Sequence, residues 1–261
     1  MTTAIIGGTG FYSLGKQADE LMVPTPYGNV AVYRTGLTQD THDIIFLPRH
    51  GSKHQLPPHR IPYRANIYAL KKLGVTHILA SCAVGSVTAG IKPGDSVILT
   101  DFIDTTRHRI QTFYDNESDE FPGVMHTEMS EPYCPILRSL LEDAFFNLQV
   151  PVHKKGIYLC TDGPRFETAS EINMYQQAGA DIIGMTNVPE VVLAKELGLC
   201  YSAVGLVTNW CTGMNQETIN IEEILDLMKK QKEVLSRMFL TVAATELNQD
   251  HCQCRTAAFT M

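Results

Sequence analysis

Apolar residues along this chain gather in short continuous runs instead of alternating with polar ones. The runs are TTAIIGG (2–8), NVAVYR (29–34), DIIFLP (43–48), HILASC (77–82), SVILT (96–100), KGIYLC (155–160), DIIGM (181–185) and YSAVGLVTN (201–209). A run apolar at successive positions has both faces buried, as strands do in a parallel or mixed sheet covered by helices. Between the runs the spacing turns helical. Tyr63–Leu73 stops before Gly74, and Val188–Leu197 has Pro189 near its start and Gly198 at its end, the usual helix punctuation. Pro135–Leu148 carries Ile136, Leu137, Leu140, Leu141, Phe145 and Phe146, and Thr168–Gln177 follows the Gly163-Pro164 turn. Ile221–Leu247 is long and amphipathic, with Lys229, Lys230 and Lys232 on a solvated face. The pattern predicts an α/β fold, a single domain with a central mixed β-sheet, partly barrel-like, flanked by helices. Two segments fit no period, Arg49–Ile61 and Arg107–Met129, and irregular stretches of that length are expected to be binding loops.

Composition narrows the function. The chain has 261 residues, 44% of them hydrophobic and 19% charged, with a net charge of −7. A sizeable core follows, and a nucleic-acid surface does not, because basic residues are neither in excess nor clustered. No apolar run is long enough to span a membrane. No secretory leader is expected before the first strand, and most of the seven cysteines lie in apolar segments. A cytoplasmic protein with buried free thiols is expected. Cys252 and Cys254 form a C-x-C pair near the end. It lacks a second pair in sequence, so no metal site is expected there. His50, His54 and His59 are close together, but Pro57 and Pro58 break any helix that would align them, and no metal is expected there either.

Several strand ends carry candidate chemistry. In GLVTNW (205–210) an apolar run stops at Asn209 beside the one tryptophan, Trp210. Ligands in open α/β sheets sit at strand ends, although Asn is also a common turn residue. IIGGTGF (5–11) ends a strand in a glycine turn suited to an anion, with Thr9 as a hydroxyl donor, but it is neither a dinucleotide fingerprint nor a P-loop. PRHG (48–51) puts Arg49 and His50 after a strand, and a guanidinium forks well onto phosphate oxygens. SCAVGS (81–86) is another strand-to-small-residue turn, and its Cys82 reads better as a core thiol than as a nucleophile. TDGPRFET (161–168) pairs the flat ring of Phe166 with the carboxylate of Glu167, which suits a planar heterocycle with an N–H edge. GMTNVPEVVLAKE (184–196) adds Met185 and Thr186 before a helix N-terminus.

In this order and spacing these motifs resemble the trimeric purine nucleoside phosphorylases and methylthioadenosine phosphorylases. The resemblance spans about residues 2–247, giving one nucleoside-phosphorylase domain (1–247) and a C-terminal tail (248–261). It implies cleavage of a purine N-glycosidic bond by inorganic phosphate, with no cofactor and no metal. Thr9, Arg49, His50, Cys82, Ala83 and Thr186 would hold phosphate. Cys82 departs from the hydroxyl residue often found there, and a thiol is a weak donor. Met185 would lie against the ribose and Phe166 on the base, with Trp210 and Cys211 nearby. His126 would reach into a neighbouring subunit's site in a homotrimer or a dimer of trimers. Arg49, Glu167 and Asn209 would carry catalysis.

The resemblance also reaches the substrate. Members taking 6-aminopurines place aspartate where Asn209 stands, and members taking 6-oxopurines carry Asn there with Glu at position 167. A carboxylate accepts from the N1–H of a 6-oxopurine and repels the bare N1 of adenine, while an amide donates to O6 or N7. At the sugar end, Ile221 stands where oxopurine enzymes place a histidine for the 5′-hydroxyl. Ile221 and Ile224 instead resemble the apolar pair around a 5′-methylthio group. Together the two pockets predict methylthioinosine as substrate. The alternatives are inosine or guanosine, methylthioadenosine, a nucleoside-binding module without catalysis, and a nicotinamide-dependent reductase suggested only by IIGGTGF.

Overall fold

The computed structural model describes residues 2–9, 18–36, 43–116, 118–215, 221–246 and 249–260, apart from the side chains of Ile221 and Glu223. The strands are β1 (Thr2–Gly7), β2 (Asp19–Thr25), β3 (Gly28–Gly36), β4 (Asp43–Pro48), β5 (Val75–Ser86), β6 (Ser96–Ile98), β7 (Asp101–Asp104), β8 (Met125–Thr127), β9 (Ile157–Cys160), β10 (Ile182–Gly184), β11 (Cys200–Trp210) and β12 (Ala258–Thr260). The α-helices are α1 (Tyr63–Lys72), α2 (Pro135–Asn147), α3 (Ala169–Gln177), α4 (Asn187–Glu196) and α5 (Ile221–Ala243).

Ten strands form one mixed sheet in the order β2-β3-β4-β1-β5-β10-β9-β7, with β11 branching from β5 and β6 pairing with β11. The centre is parallel, β4 with β1, β1 with β5, and β5 with β11. The continuous apolar runs are these central strands, buried on both faces as their composition requires. In β1, Ala4 and Ile6 face one layer and Ile5 the other. The first layer takes Ile67 and Leu70 of α1 with Val191 and Leu193 of α4. The second takes Leu137, Leu141 and Phe145 of α2 with Met228, Leu235 and Phe239 of α5. Each such side chain contributes roughly 1.5–3 kcal/mol by burial. Truncating Phe145, fully buried between α2 and α5, costs about 3–5 kcal/mol.

Local chemistry sets the helix ends. Thr168 and Glu171 close a reciprocal capping box on α3, Glu171 N–H to Thr168 Oγ1 at 3.2 Å and Thr168 N–H to the Glu171 carboxylate at 2.8 Å. Beyond α1 and α4 the chain turns at Gly74 (φ +75°) and Gly198 (φ +70°), a conformation that glycine adopts without strain.

Four strands were not legible in the apolar pattern, namely β2, β7, β8 and β12. β2 is DELMVPT, mostly exposed, and pairs only with β3 at the sheet edge. The tail joins the fold as well. It is no loose end, since β12 pairs antiparallel with β8, Phe259 opposite His126. The helix expected to run to Leu247 ends at Ala243, and Leu247 itself lies outside the described residues. No described helix is long and apolar enough to cross a membrane.

Candidate active site

The sheet has a gap at its centre. β1 follows β5 from Val75 to Ala80, and β10 takes over the same edge at Gly85 and Ser86. Between them, Ser81–Val84 pair only with β11 on the other edge. Ser81 is engaged across the gap, accepting the Gly8 N–H on its hydroxyl at 3.1 Å and an Arg49 N–H on its carbonyl at 2.7 Å. Cys82, Ala83 and Val84 then face open space. That space is a cavity of about 370 Å³, within the range for a small-molecule site.

Besides β5, four strand ends line it. Gly8 and Thr9 follow β1, and His50 follows β4; Gly184, Met185 and Thr186 lie at the end of β10, and Thr208 and Asn209 at the end of β11. Phe166 and Glu167 come from the loop before α3, Cys211 follows β11, and Ile224 and Leu225 come from α5. Phe166 is 45% exposed, an open ring face at the mouth. Glu167 is buried and accepts the Thr161 hydroxyl on Oε1 at 2.7 Å, and no described residue donates to Oε2. The Asn209 amide is fixed by its neighbours: Nδ2 donates to the Trp210 carbonyl at 2.8 Å, and Oδ1 accepts from Thr208 at 2.9 Å. One N–H of Nδ2 is left over. Gly85 makes room for this corner, since a Cβ there would sit 2.5 Å from Cys211 Sγ and 3.2 Å from Asn209 Nδ2.

A cavity built on strand ends fits many ligands, so likeness to known proteins decides the family. The Phosphorylase superfamily model matches residues 2–244. The chain belongs to the phosphorylase superfamily. Within it, the chain is 45% identical over 260 residues to the probable 6-oxopurine nucleoside phosphorylase of Moorella thermoacetica, covering 99% of this chain and 98% of the relative. It is 39% identical to the probable S-methyl-5′-thioinosine phosphorylase of Methanocaldococcus jannaschii, covering 97% and 96%. Among solved structures, the methylthioadenosine phosphorylase of Schistosoma mansoni in complex with adenine superposes with a TM-score of 0.88 at 35% identity, covering 93% of this chain and 90% of that one.

The phosphorylase cavity gathers Thr9, His50, Cys82, Ala83, Phe166, Glu167, Met185, Thr186, Asn209, Cys211 and Ile224. Arg49 is a correction. Its guanidinium does not line the cavity but forks onto Glu190, Nε to Oε2 at 2.7 Å and Nη2 to Oε1 at 2.6 Å. The fork expected for an anion is closed on a carboxylate in the layer behind the cavity wall. Burial opposes the Arg49 charge, but Glu190 outweighs burial and raises its pKa. The pair continues into a buried network. Tyr201 donates to Glu190 at 2.6 Å and accepts from Asn187 at 3.0 Å, and Tyr133 donates to Asn187 at 2.5 Å. Trp210 is half-buried and not a lining residue. His126 is exposed on the β8–β12 ribbon, away from the cavity of its own chain. The Ile221 side chain lies outside the described residues.

Titration is set mainly by burial. It lowers His50 to about 4, against the opposing pull of the Leu56 carbonyl. The ring is therefore neutral near pH 7, and Nδ1–H donates to Leu56 O at 2.8 Å, which leaves Nε2 as an acceptor. Burial pushes the Cys82 and Cys211 thiols up to about 12. Neither is a thiolate nucleophile at neutral pH, and Cys82 Sγ lies 3.8 Å from the Val204 carbonyl.

Arg109, inside an aperiodic segment, carries no signal in the sequence. Its Nη2 donates to the carbonyls of Asp162 at 3.0 Å and Met185 at 2.7 Å, and Nη1 donates to that of Val188. One guanidinium thus ties the loop carrying Glu167 to the turn carrying Met185 and Thr186. The lining residues His54, Pro58 and Thr212 were not expected from the motifs either. The second cysteine pair, absent from the sequence spacing, is supplied by the fold. Cys134 and Cys200 stand with Cys252 and Cys254 in the single group among the described residues with metal-ligating geometry, and the histidines of residues 50–59 form none.

Proposed function

We propose that the protein cleaves the N-glycosidic bond of a 6-oxopurine nucleoside with inorganic phosphate, and that its preferred substrate carries a 5′-methylthio group. The observation that carries this reading is the pairing of Glu167 with Asn209 in one cavity whose α5 side is apolar, Ile224 and Leu225. Glu167 Oε2 accepts from the base N1–H, and the remaining Asn209 N–H donates to O6 or N7. Phe166 stacks on the base and Met185 packs on the ribose. Thr9, Thr186 and the Ala83 backbone amide hold phosphate, with neutral His50 accepting from a phosphate that keeps a proton. Arg49 acts one layer back, donating from its guanidinium to the Ser81 carbonyl and from its backbone N–H to the Gly7 carbonyl.

Phosphate oxygen bonds to C1′ as the C1′–N9 bond breaks, and the bonding pair leaves with the purine. The proton of the hydrogen phosphate ends on the base, giving hypoxanthine and 5-methylthioribose 1-phosphate. The phosphate charge stabilises the oxocarbenium-like sugar, and the fixed Asn209 donor takes up charge on the leaving base. Metal and organic cofactors have no part in this step. We further assign a cytoplasmic setting and a homotrimer in which His126 enters a neighbour's site. Val124, His126 and Phe259 are exposed together around the β8–β12 ribbon, a surface suited to a second copy.

A second reading, inosine or guanosine as substrate, is favoured by the name of the Moorella relative. Phosphate-dependent base release from methylthioinosine, methylthioadenosine, inosine and adenosine tests both. Preference for methylthioinosine is expected. Preference for inosine keeps Glu167 and Asn209 and removes the methylthio assignment, preference for an aminopurine overturns the base assignment, and no release from any substrate overturns the activity.

A further inference from the structure

Four sulfurs converge at the back of the second layer, away from the cavity. Cys134 immediately precedes α2, Cys200 opens β11, and Cys252 and Cys254 come from the tail. Their Sγ atoms all lie within 4.8 Å of one another, and Cys200 and Cys252 are 3.4 Å apart. Zinc held tetrahedrally by thiolates at about 2.3 Å spaces its sulfurs about 3.8 Å apart, the scale of this cluster. Three of the four residues are buried and Cys252 is half-buried, so the centre is closed to water while one edge admits an ion.

Cys134 stands immediately before the first turn of α2, and the helix N-terminus turns its positive end toward it. Gln249 Nε2 donates to Cys200 Sγ at 3.4 Å. Such N–H donors orient the ligands of a metal and lower the charge they present. With no carboxylate or imidazole in the set, an oxygen-loving ion is disfavoured and a soft one favoured.

We propose that Cys134, Cys200, Cys252 and Cys254 form a structural tetrathiolate site for a thiophilic divalent ion of the zinc class. The C-x-C pair supplies two ligands from the tail and the folded core supplies the other two. The ion clamps residues 249–256 to α2 and β11. It thereby seats β12, which begins two residues after the Cys254–Thr256 turn, against β8.

The test uses the full-length protein, reduced and stripped with a chelator, then titrated with cobalt(II). Saturation at about one ion per chain is expected, with thiolate-to-cobalt charge transfer and the red d–d bands of a tetrahedral sulfur site, bleached by added zinc. The Cys252→Ser/Cys254→Ser double variant should lose the bands while keeping its far-ultraviolet circular dichroism. Three outcomes would overturn the proposal. One is a wild-type protein that binds no cobalt although all four thiols react as free. Another is a native mass short of the hydrogens that two disulfides remove. The third is a cobalt spectrum that survives in the folded double variant.

Discussion

The cavity and the layer behind it are built from similar polar groups and differ in how completely those groups are used. Behind the wall, Arg49, Glu190, Tyr201, Asn187 and Tyr133 form a continuous chain of hydrogen bonds, each member buried. In the cavity, Glu167 and Asn209 are each held by a neighbour on one side and keep a hydrogen-bonding position turned toward open space. A closed network specifies the fold, since any missing partner strands a buried group. A half-used one is stable in water and becomes complete when a ligand of matching pattern arrives. The difference locates the site without reference to any relative. The buried Arg49 beside the cavity spends its guanidinium on Glu190 and the Ser81 carbonyl.

Three measurements sharpen or break this contrast. The largest effect belongs to the closed layer. Glu190→Gln leaves the Arg49 guanidinium buried without its counter-charge and should cost about 3–5 kcal/mol, read as a fall in the denaturant midpoint. A loss below about 1 kcal/mol would mean that Arg49 finds another partner and that the layer is not closed.

His50 stands between the two regions and gives the next effect. Its folded pKa of about 4 lies below the ordinary 6.5, chiefly through burial. Between those values the unfolded chain binds a proton that the folded chain refuses, so folded stability rises with pH across that window. It falls as the pH drops from about 6.5 to about 4, by roughly 2–3 kcal/mol. Burial lowers His54 and His77 as well, so the comparison is with His50→Asn, which should flatten part of the slope. An unchanged slope in that variant would remove His50 from the account.

The smallest effect is on selectivity. Asn209→Asp exchanges a donor for an acceptor at constant shape. It should move kcat/KM toward 6-aminopurine nucleosides by about 30-fold, roughly 2 kcal/mol, and should also cost about 1 kcal/mol of stability, because the Trp210 carbonyl loses the Nδ2 donor. Selectivity that stays put would show that the base is read elsewhere in the cavity.

How much of this was legible in sequence follows from the range of the interactions. The buried central strands announce themselves because each is continuously apolar, and the five helices because their spacing and end residues are local. Most cavity residues were legible because they lie at the ends of those strands, in short motifs. What was hidden depends on distant partners. β8 and β12 are three residues each and become strands only by finding one another across the chain. Arg109 has no periodic signature, and its partners are backbone carbonyls 52 to 79 residues away. Arg49 was legible as important, but its charge partner Glu190 lies 141 residues on, inside a helix that reads as ordinary. Cys134 and Cys200 look like core thiols until the topology brings the tail to them.

The branching of the sheet at β5 also bears on how the chain is made. β5 pairs along one edge with β1 and along the other with β11, ten registered residue pairs in all on that second edge. On a ribosome, β1, β4 and β5 emerge within the first third of synthesis, whereas residues 200–210 emerge near its end. Throughout that interval the nascent chain carries the floor of its cavity with one long apolar edge unpaired. Such an edge invites pairing with other chains. The protein is therefore most exposed to misassembly, and most in need of a chaperone, just before the strand that carries Asn209 is translated.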